Sequence, residues 1–187
     1  WTPRLSRSRL SSVKVLITGS EGFIGSHLTE RLVASGISVR CLVQYNSFSS
    51  LGWLENIPSQ FRDQTEILFG DVRDKGMMQD VTKGVDSVIH LAALIGIPYS
   101  YSSPQSYVDT NVSGTLNLLE AAKRNGVRRF IHTSTSEVYG TAQYVPMDEK
   151  HPLVGQSPYS ASKIAADQLV HSYYSSFELS AITLRPF

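Results

Sequence analysis

The sequence predicts an α/β fold, a doubly wound parallel sheet with helices on both faces, and three observations carry that prediction. Short apolar runs alternate with helix-period stretches along the chain. The first run leads directly into a glycine-spaced turn at the mouth of a helix. With 187 residues, 41% of them hydrophobic and 18% charged, the chain is long enough and apolar enough for one α/β domain with a sizeable core.

The elements follow in order. Six strand-length apolar runs fall at 13–18 (VKVLIT), 38–43 (SVRCLV), 66–69 (EILF), 87–91 (SVIHL), 129–133 (RFIHT) and 180–184 (SAITL). Helical stretches lie between them at 22–34, 75–81, 104–125 and 158–177. The third helix sets Val108, Val112, Thr115, Leu116, Leu119 and Ala122 on one face, and Gly126 is placed to end it in the left-handed conformation. The fourth opens with Ser157 as cap and Pro158 at the first helical position. Residues 45–52 and 140–156 read as loops, and no internal repeat or interdomain linker interrupts the pattern. The opening stretch, residues 1–12, reads as a loose, disordered tail or a cloning remnant, with the folded domain spanning 13–187.

Composition narrows the function classes. Setting aside Arg4, Arg7 and Arg9, the balance of 17 basic to 16 acidic residues becomes 14 to 16, so the body carries no nucleic-acid footprint. The apolar runs stop far short of the roughly 20 residues a bilayer crossing needs, and the start has no secretory apolar stretch. Cys41 stands alone, which excludes an intrachain disulfide and fits a cytoplasmic setting; it reads as a small apolar residue buried in a strand. His27, His90, His132, His151 and His171 show no ligand spacing, so no metal is expected.

Gly19, Gly22 and Gly25 follow the first strand with G-x-x-G-x-x-G spacing and run into a helix. One glycine lets the backbone take positive φ, the next leaves room for a pyrophosphate, and the last permits close packing of helix on strand. The helix amino terminus then offers N–H groups and a positive dipole end to phosphate. That is the Rossmann arrangement, and it predicts NAD or NADP as cofactor. The acid that would hold the adenosine ribose at the end of the second strand is absent. Gln44, Asn46 and Ser47 stand there as neutral groups able to tolerate a 2′-phosphate, which leaves the choice of dinucleotide open.

Tyr159 and Lys163 form Y-x-x-x-K, an i, i+4 pair on one helix face. An ammonium near a phenol favours phenolate, which makes Tyr159 a candidate base. Placed together, these motifs give a sequence that resembles the extended short-chain dehydrogenase/reductase family, the NAD-dependent epimerases and dehydratases, from Val13 to Phe187. TGSEGFIGSHL matches the family's cofactor turn, with Phe23 and Ile24 among its glycines. GDVRD supplies Asp71 and Val72 where the family contacts adenine, and HLAA supplies Leu91, Ala92 and Ala93 to the cofactor cleft. Asn111, Thr135, Tyr159 and Lys163 match its Asn, Ser/Thr, Tyr, Lys tetrad. Plainer roles stand beside these. Asp71 serves equally to cap the following turn, Asn111 to satisfy buried backbone, and Glu137 as a solvated carboxylate.

Thr135-Ser136-Glu137 is similar to the T-x-E of sugar-nucleotide 4,6-dehydratases and of UDP-glucuronate decarboxylases, more than to simple 4-epimerases. The resemblance implies a nucleotide-activated sugar as substrate, oxidation at carbon 4 with Tyr159 taking the hydroxyl proton, and removal of the carbon 5 proton by Glu137. Many dehydratases carry Asp where Ser136 stands; serine is a poor acid, so the sequence leaves open which group protonates the departing hydroxyl, with Glu137 itself one candidate. LVQYNSFSSLGWL, AALIGIPYSYSSP and GQSPYSASK further resemble the N-acetylglucosamine-nucleotide 4,6-dehydratases of legionaminic-acid-type pathways. Tyr99 and Tyr101 would then face the sugar or pack a lid. The family also implies a homodimer through the helices at 104–125 and 158–177. Relative to the family pattern the sequence ends at LRPF, ahead of the smaller carboxy-terminal lobe that holds the substrate nucleotide.

Overall fold

The computed structural model describes residues 13–187; the tail expected at 1–12 lies outside the described residues. Its strands are β1 Lys14–Thr18, β2 Ser38–Gln44, β3 Glu66–Gly70, β4 Ser87–His90, β5 Arg129–Thr133 and β6 Ala181–Leu184. All six expected strands are present. They pair in parallel in the order β3-β2-β1-β4-β5-β6, with Leu16 of β1 aligned to Arg40 on one side and to Val88 on the other. The chain therefore winds outward from β1 to β3, crosses back, and winds outward again from β4 to β6. A crevice opens beyond the carboxyl ends of the strands where the winding reverses, between β1 and β4.

Both faces of the sheet are covered. Alternate strand residues point to opposite faces. Leu16, Leu42, Val88 and Phe130 pack with Met78, Val81, Leu118, Leu119 and Val170 on one side. Val15, Ile17, Val39, Cys41 and Val43 pack with Val33, Leu54 and Ile57 on the other. Burial on both faces is the reason the strands read as unbroken apolar runs instead of alternating ones. Cys41 is fully buried, as its strand position predicts.

The helices are α1 Phe23–Ala34, α2 Ser59–Arg62, α3 Lys75–Val81, α4 Ile97–Ser102, α5 Pro104–Tyr107, α6 Gly114–Arg124 and α7 Pro158–Phe177. The single helix expected over 104–125 is a correction: α5 and α6 are joined by a π-helical turn, Val108–Ser113. A wider turn rotates the inward face. Thr115, Leu119 and Ala122 are buried as expected, but Val108 and Leu116 are 45% and 37% exposed, and Tyr107, Asn111 and Leu118 take the inward positions. Gly114, directly after the turn, packs closely on Val72, from which a Cβ would lie 2.7 Å away. Gly126 ends α6 at φ +68. Ser157 and Ser160 cap α7 reciprocally, each hydroxyl accepting from the other's backbone N–H, with Pro158 in the first turn. The α4 helix and the 3-10 turn Gly52–Asn56 were not expected from periodicity. Among the described residues no helix is long and apolar enough to cross a membrane.

Candidate active site

The crevice at the strand ends is a cleft of about 670 Å³, lined by the glycine-turn, adenine-side and floor residues assigned to the cofactor and by Thr135, Glu137, Tyr159 and Lys163, while Asn111 of the tetrad lies outside the lining. Gly19, Gly22, Phe23, Ile24 and Gly25 form one wall, Asp71 and Val72 the β3 side, Leu91, Ala92 and Ala93 the floor after β4, and Thr135, Glu137, Tyr159 and Lys163 the far end.

Gly19 turns the chain at φ +71, and a Cβ there would lie 2.8 Å from Ala92 N. At Gly25 a Cβ would lie 2.2 Å from Gly19 O and 2.7 Å from Ser20 Cα. The third glycine thus lets the first turn of α1 pack on the glycine turn itself, not on the strand as expected. Gly22 is different: a Cβ would meet only Gly19 O, at 3.3 Å, so its bareness keeps the cleft open more than it relieves packing. Helix α1 starts there with no side-chain cap and no acid in its first turn, so its amino end is open toward the cleft.

At the end of β2 the neutral groups divide. Gln44 lines the cleft. Asn46 is committed to its own loop, donating to Ser50 O at 2.9 Å and accepting from Ser50 N at 3.0 Å, and does not line the cleft. Sequence reasoning missed Glu21. Its Oε1 accepts from Gln44 N at 3.0 Å, which places a carboxylate beside the strand end that lacks one. The signal available was an acid inside the glycine turn itself. Asp71 combines both expected placements. It lines the cleft, while its Oδ1 accepts from Arg73 N at 2.9 Å and both oxygens grip the Arg73 guanidinium, which holds the carboxyl below its ordinary range.

At the other end Tyr159 and Lys163 project from the first turns of α7. Burial pushes the Tyr159 phenol up from its ordinary value, with the Thr135 hydroxyl pulling it down and the Glu137 charge pushing it up. Lys163 is buried as well. Its Nζ donates to Thr133 O at 2.8 Å, and burial lowers it to about 8, opposed by Asp167. In this state the ammonium is turned to β5, in the same end of the cleft as the Tyr159 phenol. Thr135 caps the 3-10 turn Ser136–Tyr139, accepting from Glu137 N at 3.2 Å, and that turn presents exposed Glu137 to the cleft. Ser136, Tyr99 and Tyr101 do not line it. Tyr101 instead reaches the 140–156 loop, its hydroxyl 3.4 Å from Gln156 O.

Behind the cleft, Asn111 accepts from Leu94 N at 2.8 Å and donates to Leu94 O and Ser162 Oγ, both at 2.9 Å. Ser162 in turn donates to Tyr159 O at 2.7 Å. Asn111 therefore braces the loop after β4 against the Tyr159 helix, with both of its amide N–H donors used within the protein. A second buried group, unforeseen from sequence, supports the same end. Asp167 meets His132 Nε2 at 3.3 Å and Arg185 Nε at 3.0 Å. Burial pushes Asp167 up, but His132, Ser134 and Arg185 outweigh it and hold it low. Among the described residues no cluster of His, Cys, Asp and Glu could hold a metal ion.

Comparison with known proteins places this geometry. The family model described as GDP-mannose 4,6 dehydratase matches residues 16–187. The chain belongs to the NAD-dependent epimerase/dehydratase family of short-chain dehydrogenases. It is 38% identical over 168 residues to a dTDP-glucose 4,6-dehydratase of Streptomyces antibioticus, covering 87% of this chain and 49% of the relative. To a UDP-glucose 4-epimerase of Streptomyces lividans it is 35% identical over 179 residues, covering 94% and 52%. The crystal structure of a dTDP-glucose 4,6-dehydratase from Streptomyces venezuelae, solved with NAD bound, superposes with a TM-score of 0.81 at 32% identity, over 92% of this chain and 55% of that one. The chain spans about half the length of the curated relatives it matches.

Proposed function

We propose that residues 13–187 form the NAD(P)-binding domain of a nucleotide-sugar 4,6-dehydratase. The observation that carries this reading is the placement of Glu137 in the same end of the cleft as Tyr159, Thr135 and Lys163. An epimerase needs only the oxidising group, whereas elimination needs a further base for the carbon 5 proton. Among the described cleft-lining residues Glu137 is the one carboxylate at that end, and Ser136 beside it is not part of the lining. The residues fit a dinucleotide: a glycine wall open at the amino end of α1 for the pyrophosphate, an apolar floor of Leu91, Ala92 and Ala93, and Tyr159 with Lys163 at the far end.

A dinucleotide held along the glycine wall, with its nicotinamide toward Tyr159 and Lys163, would supply the hydride acceptor for oxidation at carbon 4 and the hydride donor for carbon 6. Tyr159 removes the proton of the 4-hydroxyl and releases it to solvent. Thr135, close enough to influence that phenol, bonds the same hydroxyl and holds it there. Lys163 supplies positive charge beneath the phenol once it turns from Thr133 O. The ketone at carbon 4 acidifies carbon 5; Glu137 removes that proton and delivers it to the hydroxyl leaving carbon 6 as water. Carbon 5 is then reprotonated from solvent, because the proton Glu137 removed has left with the water. The resemblance of the 42–54 and 92–104 stretches to N-acetylglucosamine-nucleotide enzymes favours a 2-acetamido sugar as substrate. The exposed apolar side chains of Val108 and Leu116 on one helical stretch, and of Tyr174 and Phe177 on α7, support a homodimer.

The test separates the two carboxylate roles. In a full-length version, Glu137→Gln should still reduce the cofactor on mixing with substrate while product formation falls about 10²-fold to 10⁴-fold, the loss expected for a general base. Tyr159→Phe should suppress the reduction itself. Normal product formation by the Gln variant would refute the assignment.

A further inference from the structure

Gln44 occupies the end of β2, the place where a dinucleotide's adenosine ribose meets an acid in sheets of this winding, and it brings no charge. The charge comes from elsewhere. Glu21 Oε1 accepts from Gln44 N at 3.0 Å, and both residues line the cleft. Its second oxygen, Oε2, is shut off from solvent and has no donor among the described residues. A buried carboxylate oxygen without a donor is costly, and a ligand hydroxyl would relieve it. The backbone that carries it is also held in place. Glu21 O accepts from Trp53 N at 2.8 Å, and Gly52, at φ +56, passes so near that a Cβ there would lie 2.7 Å from Glu21 O.

The cations around this corner are already engaged. Arg73 is gripped by Asp71, and Arg40 by Glu66 and by Val81 O. Lys163 is the one cation among the described cleft-lining residues, and it sits at the opposite end against Thr133 O. A 2′-phosphate at this corner would meet a carboxylate with no counter-charge, whereas ribose hydroxyls bring the donors that Oε2 lacks.

We infer that Glu21, reaching across from the glycine turn, does the work of the missing strand-end acid and selects NAD over NADP. The inference rests on the reading of this cleft as a dinucleotide site, and it is independent of which sugar reaction follows. Glu21 acts here as a specificity determinant, not as part of the chemistry.

Isothermal titration of the 187-residue chain with NAD+ and with NADP+ tests it by affinity, without turnover. Wild type should bind NAD+ at least about 100-fold more tightly, since like charges brought together cost several kcal/mol. Glu21→Gln should narrow that ratio by about tenfold or more. Moving the acid to the strand, Glu21→Gln with Gln44→Glu, should restore a preference for NAD+. A wild-type ratio near one overturns the inference without any variant. So does an unchanged ratio in the Gln protein, and either result leaves the dinucleotide cleft standing. Failure to bind both dinucleotides would overturn the cleft reading and this inference together.

Discussion

Lys163 is held in the fold at a cost, and replacing it should stabilise the protein while disabling the site. Burial lowers the ammonium from 10.5 to about 8. A shift of that size corresponds to about 3 kcal/mol of unfavourable charge burial. Lys163→Met removes the penalty, fits a similar volume, and forfeits one hydrogen bond to Thr133 O, worth about 1–2 kcal/mol to a buried acceptor. At pH 7, without dinucleotide, the variant should therefore gain about 1–2 kcal/mol. The pH dependence has a definite sign. The group is depressed in the folded state, so between about pH 8 and 10.5 the unfolded chain binds the extra proton and wild-type stability rises with pH through this site. The advantage of the variant should shrink across that window and reverse by about 1–2 kcal/mol above it, where only the lost hydrogen bond remains. Urea unfolding of both proteins at pH 7 and pH 10 reads this directly. A Met variant that is less stable at pH 7, or a difference that does not shrink toward pH 10, would refute the reasoning.

Three further outcomes follow from the geometry. Gly22→Val should leave the fold intact, because the added atoms meet only Gly19 O, yet calorimetry should find binding of both NAD+ and NADP+ abolished; unchanged affinity would contradict the placement of the pyrophosphate. Asn111→Ala strands Leu94 N and O in a buried place and should cost about 2–3 kcal/mol in urea unfolding, while a cost below about 0.5 kcal/mol would show that the brace carries no stability. Sedimentation should find a dimer, and Leu116→Glu with Tyr174→Glu should shift it to monomer, because charges on an apolar contact face are left unpaired; a wild-type monomer at high concentration would count against the pairing.

The sheet was legible because its strands are buried on both faces, so β1, β2 and β4 announce themselves as continuous apolar runs between helical stretches. Local chemistry was equally plain at Gly19, whose positive φ admits little else, and at Ser157-Pro158, where cap and first turn are adjacent. The π turn at Val108–Ser113 was not, since a 3.6-residue period assumes a regular helix and carries no sign of a wider turn. Tyr159 and Lys163 were found by their spacing, but spacing says nothing of Thr133 O, which takes the lysine's hydrogen bond. Glu21 escaped for the same reason. Its meeting with Gln44 exists only once the glycine turn has folded over the end of β2. The Asp167, His132 and Arg185 cluster joins three separate elements and leaves no local pattern to read.

The central claim, that this cleft serves a 4,6-dehydratase, is tested most directly by the mass of the product formed in heavy water by a full-length version of the protein from candidate sugar nucleotides. The account predicts a 4-keto-6-deoxy sugar nucleotide lighter than its substrate by one water and carrying solvent deuterium at carbon 5. A product of unchanged composition would make the enzyme an epimerase, loss of carbon dioxide a decarboxylase, and product without deuterium at carbon 5 would contradict a proton removal there by Glu137.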